Sequence, residues 1–577
     1  MAIQQLEAMG IGQVCLHPGL ALAWSGNADV HASQSGRLVT RGISNFDESL
    51  DRLVSPAEIE ASLESGKKPA QMRLASPSVT LWLDPSLKRI AAFPDRYALG
   101  GLYWGCSSDL SVISSASWIV ARLLDRPIEM RALGGLALVG HGVGSGTMFQ
   151  HVFRVTPGTY LEAADGLVET ARFSSDFEAP DRLDANLFRD VVRARAAAYP
   201  DAPVEFSGGF DSRLIMAAFD PADLSRRLAY TIGFDDMPDV IVARQLAAAM
   251  NMKHELHQPT TIDSLTNGDF AKLLVELARN GEFSSNAIDR SLFDLTERER
   301  PVSSRFNGQN GELLRGFYYP WQPIARNASS GPIDRLVRWR LVFNDCADPS
   351  LFDADWLNAA LAEYTAHVTD VLAASAGPAW GSRLDNLYLT ERMTRWCGDA
   401  LGDLPVRRSA IMPFFDHRFV ESALRVHPGQ KKHGRLQARL ISELNPVLGR
   451  IPFDTGRTPA EIASPPLIDL HGHFALASKS AKKVMRRIRN TRPQTIIKSA
   501  LDKFYECGPE TVLTSLASHK FDFLARDRLD ALFSGQWRPN RSTIGMLVNL
   551  EALAREMAER ADWAGKPQPD TAQRLIA

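Results

Sequence analysis

Phe206-Ser207-Gly208-Gly209-Phe210-Asp211-Ser212 lies between a short apolar run, Val204-Glu205-Phe206, and a helix-forming stretch, Ser212 to Ala218. A strand that turns directly into a helix points several backbone N–H groups and the positive helix end at one spot, which suits a phosphate. Two adjacent glycines remove side chains where a backbone must approach an anion closely. Asp211 adds a carboxylate of the kind that Mg²⁺ accepts as a ligand. The simpler reading is a strand–turn–helix joint with a Ser or Asp cap. The turn lacks both the lysine of GxxxxGK[ST] and the spacing of GxGxxG, so neither common phosphate loop describes it.

Outward from this turn the chain alternates strand and helix signals. Asn186 to Ala198 reads as a helix, Arg227 to Ile232 as a strand and Val240 to Met250 as a helix. Alternation of this kind implies a parallel sheet covered by helices. Before about residue 175 the pattern differs: Val79–Leu83, Arg89–Phe93, Gly101–Trp104 and Leu110–Ser114 read as short alternating strand-like runs bounded by Asp, Pro and Gly. They suggest a mostly antiparallel assembly. Beyond about residue 335 helix dominates, with amphipathic stretches around 385–401 and 543–561. The expected class is α/β: an antiparallel β-rich part, then a parallel-sheet part, then a helical part. Without an internal repeat or low-complexity linker, the halves are expected to pack closely.

Bulk composition narrows the function classes. At 577 residues, 45% apolar and 23% charged with net charge −2, the chain is long enough for two or more domains. Near-neutral charge gives no whole-protein electrostatic reason for nucleic acid or an anionic membrane as partner. The five cysteines are scattered, with no CxxC pair or His/Cys cluster, so neither a disulfide framework nor a zinc site is indicated. No signal-peptide pattern opens the sequence and no apolar run approaches twenty residues, so a cytoplasmic protein without a membrane span is expected.

The turn matches the SGGxDS loop of the ATP pyrophosphatases, and further segments narrow the likeness. Met412-Pro413-Phe414-Phe415-Asp416-His417-Arg418-Phe419-Val420-Glu421 is similar to the PFLDxxLVE segment of asparagine synthetases. Asn307-Gly308-Gln309-Asn310-Gly311-Glu312-Leu313-Leu314-Arg315-Gly316-Phe317-Tyr318 resembles their GEGxDExFGGY loop. Upstream, Asp95–Trp104 resembles DRFGxxPLYY, and Val155-Thr156-Pro157-Gly158 the LPPG turn of the same amino-terminal domain. The resemblance is to the group that includes asparagine synthetases, beta-lactam synthetases and lasso peptide cyclases. It implies a degenerate glutamine amidotransferase-like, Ntn-hydrolase-like domain over residues 1–175. Residues 176–577 would then form a PP-loop synthetase domain with a helical C-terminal part.

The resemblance implies ATP and Mg²⁺ as cofactors and assigns residues to them. Ser207, Gly208, Gly209, Asp211 and Ser212 fall to pyrophosphate and magnesium. Glu312 takes the place of the second acidic metal ligand, normally Asp, although a solvent-facing loop carboxylate is the plainer reading of it. Thr231, on the Tyr230–Phe234 strand, and Gly308 fall to the adenosine end. Tyr318 matches the tyrosine that ring-closing members pair with a glutamate to deprotonate an amine. Glu391 is its candidate partner, the alternative being that Glu391 salt-bridges Arg392 or Arg395 on a helix surface. Gln309 replaces a glutamate of asparagine synthetases. Arg450–Pro459 contains no lysine where the family has one, so Arg457, or less favourably Arg450, is the candidate cation. Ala2 stands where glutamine-using members need cysteine, which argues against glutamine as the amine source. Lys479–Arg489 (KSAKKVMRRIR) reads more readily as a solvated helix face than as a site for an acidic peptide or phosphate-rich partner.

Three readings follow. A lactam-forming ligase of the lasso peptide cyclase type would activate a peptide carboxylate and work with a precursor peptide, a leader-binding partner and a protease. An amidoligase would use ammonia or act in polysaccharide assembly. A non-catalytic homologue would bind ATP without turning it over.

Overall fold

The computed structural model describes residues 45–164, 166–173, 183–258, 261–298, 304–401, 410–464, 496–518 and 521–564. It also gives the backbone of four strands between residues 13 and 42. Ala2 and Lys479–Arg489 lie outside the described residues.

The N-terminal part is antiparallel β. Its largest sheet has six strands, in the order Leu167–Arg172, Thr159–Ala164, Arg89–Pro94, Ser78–Asp84, Arg37–Gly42 and Asp29–Ala32. Ser78–Asp84 and Arg89–Pro94 are buried along nearly their whole lengths, so apolar residues on both faces are in demand and the strands read as continuous runs rather than alternations. A three-stranded sheet of Ser111–Ser114, Tyr103–Cys106 and Phe153–Arg154 stands apart from it. The Asp95 carboxylate organises the turn between them. It accepts from Ser76 Oγ at 2.6 Å and from the Ser78, Tyr97, Leu99 and Gly100 N–H groups. A buried acceptor with this many donors needs no ligand to be satisfied.

The second part carries a five-stranded, wholly parallel sheet. In order across it run Lys253–His257, Leu228–Ile232, Val204–Glu205, Arg305–Phe306 and Ala410–Ile411. In sequence terms the order is third, second, first, fourth, fifth. The chain therefore winds outward one way from Val204–Glu205 and returns the other way at Arg305–Phe306. Between those two neighbours the crossovers depart to opposite sides and leave a crevice at the carboxyl ends of the strands, where open α/β sheets bind ligands. The Ser207 turn follows one strand and the Gly308 loop follows the other.

The halves are closely packed, as the lack of a linker suggests. Tyr97 and Leu99 belong to the same buried cluster as Phe206, Leu214 and Phe414, while Tyr103 and Phe149 share another with helix Arg541–Ala564. Charged joints reinforce this. Arg195 pairs with Glu48 at 2.7 Å and with Asp416 at 2.9 Å, and Arg418 reaches both Asp416 and Asp51. Glu48, Asp416 and His417 bring their ligand atoms within 4.8 Å of one another, yet the two arginines already neutralise the carboxylates. Burial raises the Asp416 pKa, but Arg195, Arg418 and His417 outweigh it and hold the group well below the usual range. This cluster is a joint between the two parts. Among the described residues no helix is long and apolar enough to cross a membrane.

Candidate active site

Helix Phe210–Ala218 starts at Gly209 without a side-chain cap. Its first N–H groups are therefore not satisfied by a cap, unlike those at helix Ala185–Ala198, where Asp184 accepts from Leu187 N. The serines of the turn brace the backbone instead. Ser212 Oγ donates to Ser207 O at 2.9 Å and accepts from Ser207 N at 3.2 Å, while Ser207 Oγ accepts from Gly209 N at 3.2 Å. Gly208 is dictated by a close approach: a Cβ there would meet Val242 Cβ at 2.8 Å and Asp239 O at 3.2 Å. An uncapped helix start at the sheet's crevice leaves backbone N–H groups able to receive an anion.

Asp211, in the first turn of that helix, faces the Gly308 loop. A Cβ on Gly311 would lie 2.1 Å from Asp211 Oδ1, and one on Gly308 would lie 3.0 Å from Asp211 Cβ. The glycines of this loop thus let it close over Asp211. Two side chains converge on the carboxylate. Arg315 Nη2 donates to its oxygens at 2.9 and 3.2 Å, and the fully buried Gln437 donates through Nε2 at 2.8 Å. Arg315 also stands 3.4 Å from Glu312, which accepts from the Tyr388 hydroxyl at 3.1 Å. Asp211 and Glu312 are therefore side by side, with one guanidinium as their common counter-ion. Burial raises the Asp211 pKa to about 6, with Glu312 adding to the rise and Arg315 and Gln437 opposing it. Two hard carboxylate oxygens beside an uncapped helix start fit the chemistry of Mg²⁺, with Arg315 as the group that a cation must displace or share.

The remaining sequence-based candidates divide. Thr231 is buried beside the turn, but its hydroxyl is committed: it donates to Phe206 O at 2.7 Å and lies 2.9 Å from His254 Nε2. It thereby fixes the strand end from which the turn departs. Arg457 sits on a loop fastened to the same helix. Phe453 N donates to Arg457 O, the Phe453 ring stacks on Phe210 at 4.2 Å, and the buried Arg213 donates to Ile451 O, Pro452 O and Gly208 O.

Tyr318 is buried among Phe317, Tyr388, Arg340 and Arg392. Burial raises its pKa, while the neighbouring arginines lower it, so the phenol is a poor base alone. Glu391 pairs with neither Arg392 nor Arg395. Arg392 turns to Asp345, and Arg395 to Asp399 and the carbonyls of Gly144 and Gly146. The Glu391 partner is His367 at 3.1 Å, and its carboxylate also accepts from Gly144 N at 3.0 Å. Burial pushes the Glu391 pKa up, but His367, the Gly144 N–H and Arg395 prevail and leave it lowered. Glu391 opens on a cleft of about 340 Å³ that is also lined by Thr156, Pro157 and Thr390.

Arg315, Gln437, Tyr388 and His367 are absent from the sequence-based set. Arg315 lies inside a segment already singled out, and its charge next to an acidic residue was the available signal. The other three carry no local signature. A helical stretch, Trp380–Leu387 continuing into the wider turns of Tyr388–Cys397, positions Tyr388 and Glu391.

The model of the asparagine synthase family matches residues 185–280, from the helix before the glycine turn to the end of helix Asn267–Asn280. The match supports the asparagine synthase family and suggests an ATP-dependent carbon–nitrogen ligase. No curated protein gives a match to the chain.

Proposed function

We propose that the chain is an ATP-dependent amide-forming ligase that activates a carboxylate as its acyl-adenylate, of the macrolactam-forming, lasso peptide cyclase type. Its two parts are then an Ntn-hydrolase-like domain over residues 1–175 and a PP-loop synthetase domain over 176–577. One observation carries the reading. The uncapped start of helix Phe210–Ala218, with Asp211 and Glu312 side by side, stands at the point where the parallel sheet reverses its winding.

In this reaction an oxygen of the substrate carboxylate attacks the α-phosphorus of ATP and pyrophosphate leaves. An amine then attacks the acyl carbon, the new C–N bond forms, and AMP departs. Ser207, Gly208, Gly209 and Ser212 bind the pyrophosphate end through the turn and its helix. Asp211 and Glu312 would hold Mg²⁺, which when bound offsets phosphate charge. Thr231 and Gly308 flank the nucleoside, and Arg457 supplies a positive charge from its anchored loop. The amine proton passes to the Glu391–His367 pair, with Tyr318 holding the amine. The cleft beside Thr156 supports this assignment, since Glu391 is among the residues that line it. Glutamine hydrolysis has no part in the scheme. The partners are a precursor peptide with leader-binding and protease proteins, in the cytoplasm.

Substrate-dependent exchange of labelled pyrophosphate into ATP tests this. Candidate precursor peptide, aspartate and glutamate are offered separately with Mg²⁺. Exchange with the peptide that disappears in Asp211→Ala supports the proposal. Exchange with aspartate alone would move the substrate to the amidoligase class, and ATP binding without exchange for any carboxylate would sink the ligase reading.

A further inference from the structure

The run Gly140-His141-Gly142-Val143-Gly144-Ser145-Gly146 belongs to the N-terminal part, directly after helix Met130–Val139. It reaches across to the helical stretch that carries Glu391. The Gly144 N–H donates to Glu391 Oε2 at 3.0 Å, and His367 Nε2 stands 3.1 Å from the same oxygen. One carboxylate oxygen is therefore held from two directions, by a backbone group of one part and a side chain of the other. Glycine is required at 144: its φ is +57°, and a Cβ there would lie 2.9 Å from Cε1 of the His367 ring. A Cβ on Gly142 would overlap the Arg395 guanidinium.

The loop is fastened to that stretch by bonds that do not involve Glu391. Arg395, four residues further on, donates to the carbonyls of Gly144 and Gly146 at 2.6 and 2.8 Å. Thr394 Oγ1 donates to Tyr97 O of the N-terminal part at 3.1 Å. Asp399 pairs with the buried Arg154 at 3.3 Å, and Arg154 N donates in turn to Ser145 O at 2.8 Å. The Gly144 N–H is thus kept in register with Glu391 by its surroundings. A hydrogen bond to an ionised acceptor is also stronger than one between neutral groups, so the carboxylate keeps one orientation.

We propose that Gly144 is a positioning residue for the amine step, and that through it the N-terminal part takes a share in amide formation without any glutamine chemistry. Its N–H holds Oε2, so Oε1 is the oxygen that takes the amine proton as the nitrogen attacks the acyl carbon and AMP leaves. The assignment rests on the ligase reading above, in which the Glu391–His367 pair receives that proton.

Glycolic acid placed at position 144 by nonsense suppression tests it. The amide between Val143 and Gly144 becomes an ester, which removes the N–H and adds no side chain. Pyrophosphate exchange is measured with precursor peptide, aspartate and glutamate. Amide product is read by mass spectrometry from the carboxylate that supports exchange, the peptide with its own amine and the amino acids with ammonium chloride. Exchange does not use Glu391 and should stay close to wild type, while amide product should fall at least about tenfold, the scale of one hydrogen bond to a charged group. In a Glu391→Gln background the ester should cause no further loss, because both changes act on one carboxylate. Gly144→Ala, which drives a methyl group at the His367 ring, should show the same split between exchange and product. An ester chain that forms amide at the wild-type rate overturns the proposal. So does an ester that lowers exchange and amide formation alike, or that adds its full loss to that of Glu391→Gln. A wild-type chain without exchange for any of the three carboxylates ends the ligase reading and this assignment together, whereas the ester outcomes end only this one.

Discussion

The guanidinium of Arg315 donates to both carboxylate oxygens of Asp211, at 3.2 and 2.9 Å. It therefore holds the ionised form of a carboxylate that burial pushes toward protonation, to a pKa of about 6. If ionised Asp211 is needed for the metal, pyrophosphate exchange should rise as pH passes about 6. Arg315→Met removes a charge that lowers this pKa, so the acid limb of the exchange profile should move upward by roughly one unit, the scale of a single nearby opposite charge. A profile that stays in place or moves to lower pH would show that Asp211 does not limit the rate.

Asp211 is also a stability probe, with a sign opposite to that of an ordinary paired carboxylate. Its folded pKa of about 6 lies above the unfolded 3.8, so ionising it disfavours folding. The cost is absent below pH 3.8 and complete above about pH 6, where it reaches ~3 kcal/mol at most. Asp211→Asn keeps an acceptor for Gln437 and removes the charge. The melting temperature of the variant relative to wild type should therefore climb between pH 4 and pH 8. A relative melting temperature that falls over this range would contradict the raised pKa.

The contrast between Asp211 and Gln437 shows what could be read in advance. The turn at Gly208, Gly209 and Asp211 was legible because a strand–turn–helix joint is local, and its glycines mark where backbone must come close. The alternation around Arg227–Ile232 and Val240–Met250 likewise foretold Leu228–Ile232 and Pro238–Ala249. Gln437 reaches Asp211 from 226 residues away, and an uncharged glutamine in an amphipathic helix has no distinguishing signal. Glu391 was visible as a carboxylate but its partner was not. His367 belongs to a different helix, Ala354–Ala374, and the neighbouring Arg392 and Arg395 drew the local reading. Long-range pairing decided each of these cases, and spacing along the chain does not encode it.

The Glu391–His367 pair contributes to stability in a bounded pH window. Glu391 has a lowered pKa, so its share is present above the unfolded 4.5 and is lost as pH falls through the folded value. His367 has a raised pKa, chiefly because of Glu391, so its share is present below the unfolded 6.5 and is lost as pH rises through the folded value. Glu391→Gln should therefore cost most between pH 4.5 and 6.5, on the order of 1 kcal/mol for a pair still reached by solvent, and less above it. In the proposed reaction the same variant should retain pyrophosphate exchange and lose amide product, because only the amine step uses the pair. Loss of exchange to the same extent would remove Glu391 from that step and make its role structural.

Lys431 and Asp385 test the support beneath Tyr318. Lys431 Nζ lies 2.6 Å from Asp385, both side chains are almost wholly buried, and the Tyr319 hydroxyl donates to the same carboxylate at 2.8 Å. Burial raises the Asp385 pKa, and Lys431 and Tyr319 restrain the rise. Lys431→Met leaves that carboxylate with a single neutral donor, so unfolding by urea at pH 7 should show a loss of roughly 3–5 kcal/mol. The loss should be smaller near pH 4, where protonation can relieve the stranded charge. Adding Asp385→Leu and Tyr319→Phe to Lys431→Met removes every polar group of the trio and should recover most of the stability, since matched apolar groups replace a buried pair at little cost. Activity should not return with it. Asp385 sits one helical turn before Tyr388 and Tyr319 adjoins Tyr318, so the trio sets the position of both aromatic rings. A triple variant that regains stability and full amide formation would mean that the rings find their places without it.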